Sequence, residues 1–273
     1  MSKIIDGPLR NFFRKNTRTI TLTQATSERL SGIEIGRIIA CLAVVFIHQQ
    51  SAHYGPHFNI REALDLASRW AVPFFFIISG YFMPTGTSWL KVSVKYFIRL
   101  FPVFIFWVTA YATIVGNPFW FLSEPWIIRQ ILTNGGTGFH LWFLPSLGVC
   151  LVIAAFVQSL TSVKILLMVS IFLYCFGLIH ASYEAAIVGL PFDDVDRLFN
   201  PRNGPFMGLL FVSLGIALRR RLVKPSAVRG LVMIMFGASL TILEAPFLFY
   251  PSNPPTSTHN FLIGTVPLGF GVT

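Results

Sequence analysis

The chain has 273 residues, 54% of them hydrophobic and only 12% charged, with a mean hydropathy of +0.67. Soluble domains carry about 25% charged residues, so a soluble globule, a disordered chain and a collagen-like chain are excluded and a polytopic membrane protein remains. The net charge is +10, and because the positives lie mainly between apolar runs they read as topology determinants rather than a nucleic-acid surface.

Residues 1–31 are polar and basic, with Lys3, Arg10, Arg14, Lys15, Arg18 and Arg29. The polar stretch is too long for a signal peptide, and no small-residue cleavage site follows the first apolar run. It reads as a cytoplasmic tail. Residues 32–273 then form one transmembrane domain. Apolar runs follow at 32–51, 67–84, 97–116, 141–159, 163–180, 205–219, 228–250 and 261–273. A crossing helix needs about 20 residues, and most runs qualify. The predicted fold is all-α, a transmembrane helix bundle of about eight hydrophobic segments. The last run, 261–273, is too short to cross unaided, so it stops part-way or belongs to something longer.

With the N-terminus in the cytoplasm, alternation puts fifteen Lys and Arg inside and five outside, with Arg37 within a span. That bias supports the orientation. Cys41, Cys150 and Cys175 all lie in apolar stretches, too far apart for a zinc site or a disulfide framework, and read as buried small hydrophobes. In the outer loop 117–140, Trp120, Trp126, Ile127, Ile128, Ile131 and Leu132 suit a short surface helix and an interfacial belt equally.

The first span holds Glu34, Arg37 and His48. At 100° per residue, Arg37 and His48 fall about 20° apart and Glu34 about 40° from His48, so all three share one face. A charge within a span costs at least ~2.5–3.5 kcal/mol and normally faces protein or a water-filled cavity. Glu34 and Arg37 also suit a structural i,i+3 ion pair. His48 suits both a capping group at a helix end and a functional base. Gly32, Gly36 and Ala40 recur every four residues, a spacing that permits close helix approach. In the second span Pro73 breaks the backbone ladder early. Lys91, Lys95 and Arg99 form one basic stripe, read as a topology signal or as capture of a polyanion. His140, Trp142, Arg202 and Asn203 put polar groups and a flat ring at the outer membrane entrance, where interface anchoring serves as well. Glu244 is an intramembrane carboxylate whose partner the sequence does not name. No phosphate-cradling Gly-rich loop, nucleophile elbow or recognised metal-ligand pair is present.

The arginine and histidine separated by ten residues, Arg37 and His48, resemble the signature of the acyltransferase 3 family of integral-membrane O-acyltransferases. Glu34-Ile-Gly36-Arg37 resembles the family's acidic-x-x-Arg opening, with Glu where Asp is more usual. Val72-Pro73-Phe74-Phe75-Phe76-Ile77-Ile78-Ser79-Gly80-Tyr81 is very similar to its second-helix motif. Arg99-Leu-Phe-Pro102, His140-Leu-Trp142-Phe143-Leu and Arg202-Asn203-Gly204 also fit, and the resemblance covers roughly 27–220. His140-Leu-Trp142-Phe143 leans toward short bacterial members that acetylate cell-surface polysaccharides. Family members usually have about ten spans, so the resemblance implies that C-terminal spans are missing.

The resemblance implies a bacterial inner-membrane enzyme that moves an acetyl or other acyl group from cytoplasmic acetyl-CoA to a hydroxyl of a surface or lipid-linked glycan, with no metal and no nucleic acid partner. In that reading His48 is the base or a transient acyl carrier. Arg37 orients the thioester or a CoA phosphate, and Glu34 holds Arg37. Lys91, Lys95 and Arg99 hold CoA phosphates, while His140, Trp142, Arg202 and Asn203 face the glycan. The rival readings are a transporter or flippase of a lipid-linked glycan, and an inactive truncated relative.

Overall fold

The structure is a computed structural model and describes residues 32–48, 60–84, 86, 88–114, 139–180, 183, 204–249 and 262–273. Two compact units are distinguished, Met1–Leu42 and Ala43–Thr273. Among the described residues there are only helices and turns. They are α1 (32–48), α2 (Ile60–Ser68), α3 (Ala71–Tyr81), α4 (Trp89–Ile114), a 3-10 turn at Phe139–Trp142, α5 (Phe143–Leu160), α6 (Val163–Ile179), α7 (Pro205–Arg219), α8 (Ala227–Phe249) and α9 (Thr265–Val272).

Three of the described helices are long and apolar enough to cross a membrane: α4, α5 and, over Ala227–Glu244, α8; α6 and α7 are apolar but shorter. The expected span 67–84 is two pieces. The amphipathic α2 ends at Ser68, and the separate α3 has only 11 residues, about 16 Å at 1.5 Å per residue. Pro73 sits in the first turn of α3, where a missing N–H breaks no helical bond. The expected span 97–116 begins earlier, at Trp89. Lys91, Lys95 and Arg99 therefore lie as expected in the first turns of a helix, which runs on without a break for 26 residues.

The centre of the larger unit is α7, buried at Met207–Ser213 and again at Gly215–Ala217. A helix apolar on every side belongs in the interior. It packs against α3, α5 and α6 around Phe76, Ile77, Leu151, Leu166, Leu209 and Phe211. In lipid, apolar burial alone does not drive helices together; close packing does. The α3–α7 contact shows how. A Cβ on Gly80 would strike the Val212 carbonyl, and one on Gly215 would strike the Ile77 carbonyl. The α8–α9 pair repeats the device, with Gly230 against Gly271 and Gly237 against the backbone at Gly264 and Leu268. Gly269 then sets α9 on Pro73 of α3.

The outer helices present apolar side chains outward, among them Ile98 and Phe106 on α4 and Met235 and Phe236 on α8. Such a surface suits lipid. The cysteine expectation is corrected in two of three cases. Cys150 is buried, but Cys41 and Cys175 are exposed, because lying in an apolar run does not decide which face a residue takes. Gly32 departs from the small-residue reading as well: nothing lies within 4 Å of a Cβ built there, while Ala40 is fully buried.

Candidate functional site

Residues 32–48 are helical throughout, which is the condition for Glu34, Arg37 and His48 to share a face. Arg37 Nη1 donates to Glu34 Oε1 at 2.7 Å, so the i,i+3 pair is formed. Glu34 is exposed, Arg37 half-buried, and His48 exposed at the helix end.

At the end of the bundle where α4 begins and α5 and α7 finish, the arginines after α7 tie segments together. Arg219 Nη1 donates to the Tyr81 and Met83 carbonyls at 3.0 and 3.2 Å, and so caps α3. A cation there meets the carbonyls that the last turn leaves unpaired. Arg220 Nη2 donates to Gln158 Oε1 at 2.7 Å, and Gln158 Nε2 donates in turn to the Ala154 carbonyl. Arg221 takes a left-handed backbone, φ 55°, and the Leu222 amide closes back on the Ala217 carbonyl to end the helix. A cavity of about 300 Å³ opens beside Arg220, lined also by Met83, Pro84, Ser88, Gln158 and Ser159. Lys91 and Arg99 are exposed and Lys95 half-buried on α4; none of the three lines that cavity.

The opposite end holds the remaining polar groups. Gly204 has φ +68°, a conformation that suits glycine, and it starts α7 ahead of Pro205. The Gly204 amide donates to Ser146 Oγ at 2.8 Å, and Cys150 Sγ, one turn further along α5, donates to the Gly204 carbonyl at 3.2 Å. Trp142 is buried at 9% exposure in the main core, so its ring packs against protein. His140 is placed in the 3-10 turn Phe139–Trp142. Arg202 and Asn203 lie outside the described residues, as does the 117–138 stretch with its tryptophans.

Glu244 now has a partner. Its Oε2 accepts from the Gly264 amide at 3.2 Å, while Oε1 and the nearby Tyr183 hydroxyl are buried without a hydrogen bond among the described residues. Burial, reinforced by this carboxylate, pushes the Tyr183 phenol up. Tyr174 donates to the Leu262 carbonyl at 2.8 Å, in the same turn. A carboxylate on α8 thus holds the start of α9.

A buried charge pair joins α2 to the residue that follows it. Arg69 donates through Nε and Nη2 to Asp65 Oδ2, at 3.1 and 2.7 Å, with both side chains almost fully buried. Opposite charges at i,i+4 were the available signal. For Arg220 the signal was weaker, since Arg219-Arg220-Arg221 also serves orientation.

An all-helical membrane protein with ionisable groups held between its helices is the class that this fold defines. A scan of family models goes further: the acyltransferase 3 model, described as "Acyltransferase domain", matches residues 30–272. The chain belongs to the acyltransferase 3 family. It is also similar to a "Serine/alanine racemase" of Enterococcus gallinarum, at 27% identity over 80% of this chain and 33% of that protein. An "Amino-acid racemase" of Enterococcus faecalis is 28% identical over 79% of this chain and 32% of that protein. The chain thus spans about a third of the length of these relatives. No solved structure matches.

Proposed function

We propose that the chain is a bacterial inner-membrane O-acyltransferase, with its N-terminus cytoplasmic, that moves an acetyl group from acetyl-CoA to a hydroxyl of a surface or lipid-linked glycan. The observation that carries this is the family match over residues 30–272. His48 takes the proton of the attacking hydroxyl, because imidazole exchanges protons near neutral pH. The hydroxyl oxygen forms the new ester bond as the thioester C–S bond breaks. The thiolate leaves and is protonated. Arg37, held by Glu34 at 2.7 Å, orients the donor by its thioester or a CoA phosphate. The bundle of about eight segments keeps the donor and acceptor sides apart. The cation-rich end, where Lys91, Lys95 and Arg99 lie near the start of α4, suits a polyanionic donor.

The test is expression in a strain whose surface glycan lacks O-acetyl groups. The expected result is a mass gain of one acetyl per repeat. That gain disappears in His48→Ala and Arg37→Ala while both variants remain in the membrane. An unchanged acetyl level in both variants removes the assigned roles.

A further inference from the structure

We propose that the Arg220 cavity is a binding site for a phosphate ester. Four observations converge on it.

The first is shape. The cavity of about 300 Å³ lies at the small end of ligand sites, which run from about 300 to 1,000 Å³. It has room for a phosphate or pyrophosphate group. Its base is apolar, from the buried Met83 and Ala155, and its remaining lining includes Ser88, Gln158, Ser159 and Arg220.

The second is pre-organisation. Among the described residues the Arg220 guanidinium makes one hydrogen bond, from Nη2 to Gln158 Oε1. Gln158 is itself oriented by its bond to the Ala154 carbonyl. Arg220 is exposed, and this bond biases its side chain toward a neutral partner; among the described residues its remaining N–H donors are not taken by a carboxylate. A planar guanidinium with donors to give is the group that grips phosphate in a two-pronged fashion.

The third is the surrounding field. Segments 82–100, 158–165 and 219–230 meet at this end of the bundle; they contain nine Lys and Arg and no Asp or Glu. A one-sign field raises the local concentration of anions.

The fourth is the position of Ser88. Its carbonyl accepts from the Val92 amide, so it stands immediately before the first turn of α4. Ser88 lines the cavity beside the positive end of a helix of 26 residues. The guanidinium supplies the charge, and the helix end adds to it.

Lys91, Lys95 and Arg99 have a different part here. They are outside the cavity and contribute to the field alone. Arg220 and Ser88 make the contact. Two sources supply a phosphate ester at this end of the bundle: a free cofactor such as CoA, and an anionic phospholipid headgroup. The site does not depend on acyl transfer, so phosphate binding without acetylation would leave this proposal standing and remove the function proposed above.

The experiment uses the full chain in nanodiscs of phosphatidylcholine. Binding of pyrophosphate and of CoA is read by thermophoresis, and the lipid arm replaces a third of the phosphatidylcholine with phosphatidylglycerol. The expected result is saturable binding that Arg220→Gln weakens tenfold or more. Arg220→Lys weakens it about threefold, because charge is kept and the fork is lost. Lys164→Gln, at the same end but off the lining, changes it less than twofold. CoA binding that persists beside phosphatidylglycerol assigns the site to a cofactor. Displacement of pyrophosphate by phosphatidylglycerol assigns it to a lipid headgroup, and either supports a phosphate site. Absence of binding to all probes by the folded chain overturns the proposal. So does an Arg220→Gln variant that binds as tightly as the parent chain, once its helix content matches.

Discussion

At the scale of single residues, the described polar groups are mostly held in pairs, and the pairs differ in how much they matter. Glu34 and Arg37 sit at 61% and 40% side-chain exposure. In water such a pair is worth about 0.3–0.5 kcal/mol, so holding Arg37 in position is its main effect. Asp65 and Arg69 sit at 7% and 11%. Removing one partner of a buried pair strands the other and costs about 3–5 kcal/mol, whereas replacing both by apolar residues is often neutral. Asp65→Ala is therefore expected to lower thermal stability in detergent by that order, and Asp65→Leu with Arg69→Met to restore most of it. Additive losses in the double variant would show that the two side chains are not coupled. The local pairs were legible in the sequence because three- and four-residue spacings on a helix force neighbours together. The Glu244–Gly264 bond and the Arg220–Gln158 bond join different helices and were not legible. Their existence depends on which helices pack, and no local spacing encodes that.

At the scale of helices, apolar runs located the elements well and their ends poorly. The run 67–84 merged two helices, because a bilayer-length template has no place for an 11-residue helix beside an amphipathic one. The apolar run that marked α4 began too late because the helix's first turns carry Lys91 and Lys95, which lower the local hydropathy without interrupting the helix. The packing of α3 on α7 gives a sharper test of what joins helices here. Gly80→Ala drives a Cβ into the Val212 carbonyl, a backbone atom with little room to yield. Overpacking of this kind costs about 1–3 kcal/mol. Among the described residues Gly32→Ala meets nothing within 4 Å, so no overpacking opposes it. Thermal unfolding should therefore fall for the first variant and hold for the second. The reverse order would mean that close approach of α3 and α7 is not what holds the bundle centre together.

At the scale of the molecule, one end gathers positive charge and the other gathers the Glu244 and Gly204 polar contacts, and this asymmetry fixes what an orientation assay should find. The positive-inside rule acts on short loops and on Lys and Arg near span ends. Arg219, Arg220, Arg221, Lys224 and Arg229 lie between α7 and the second turn of α8, the densest such loop in the chain. A reporter active only in the cytoplasm should therefore be active when fused after residue 225, and one active only outside should be active near residue 195. Two of those arginines also hold structure, Arg219 on α3 and Arg220 on Gln158. Charge reversal at Lys224 and Arg229 separates the two roles, since neither makes a bond that ties helices among the described residues. If orientation comes from the loop's charge, Lys224→Glu with Arg229→Glu should shift part of the population to the inverted reading while the folded fraction stays stable. If both fusions keep their readings in that variant, the remaining inner positives suffice. If the parent chain itself reads outside at 225, the cation-rich end faces away from the cytoplasm. A cytoplasmic donor could not then enter at the Arg220 end, and the acyl-transfer scheme would have to run in the opposite direction.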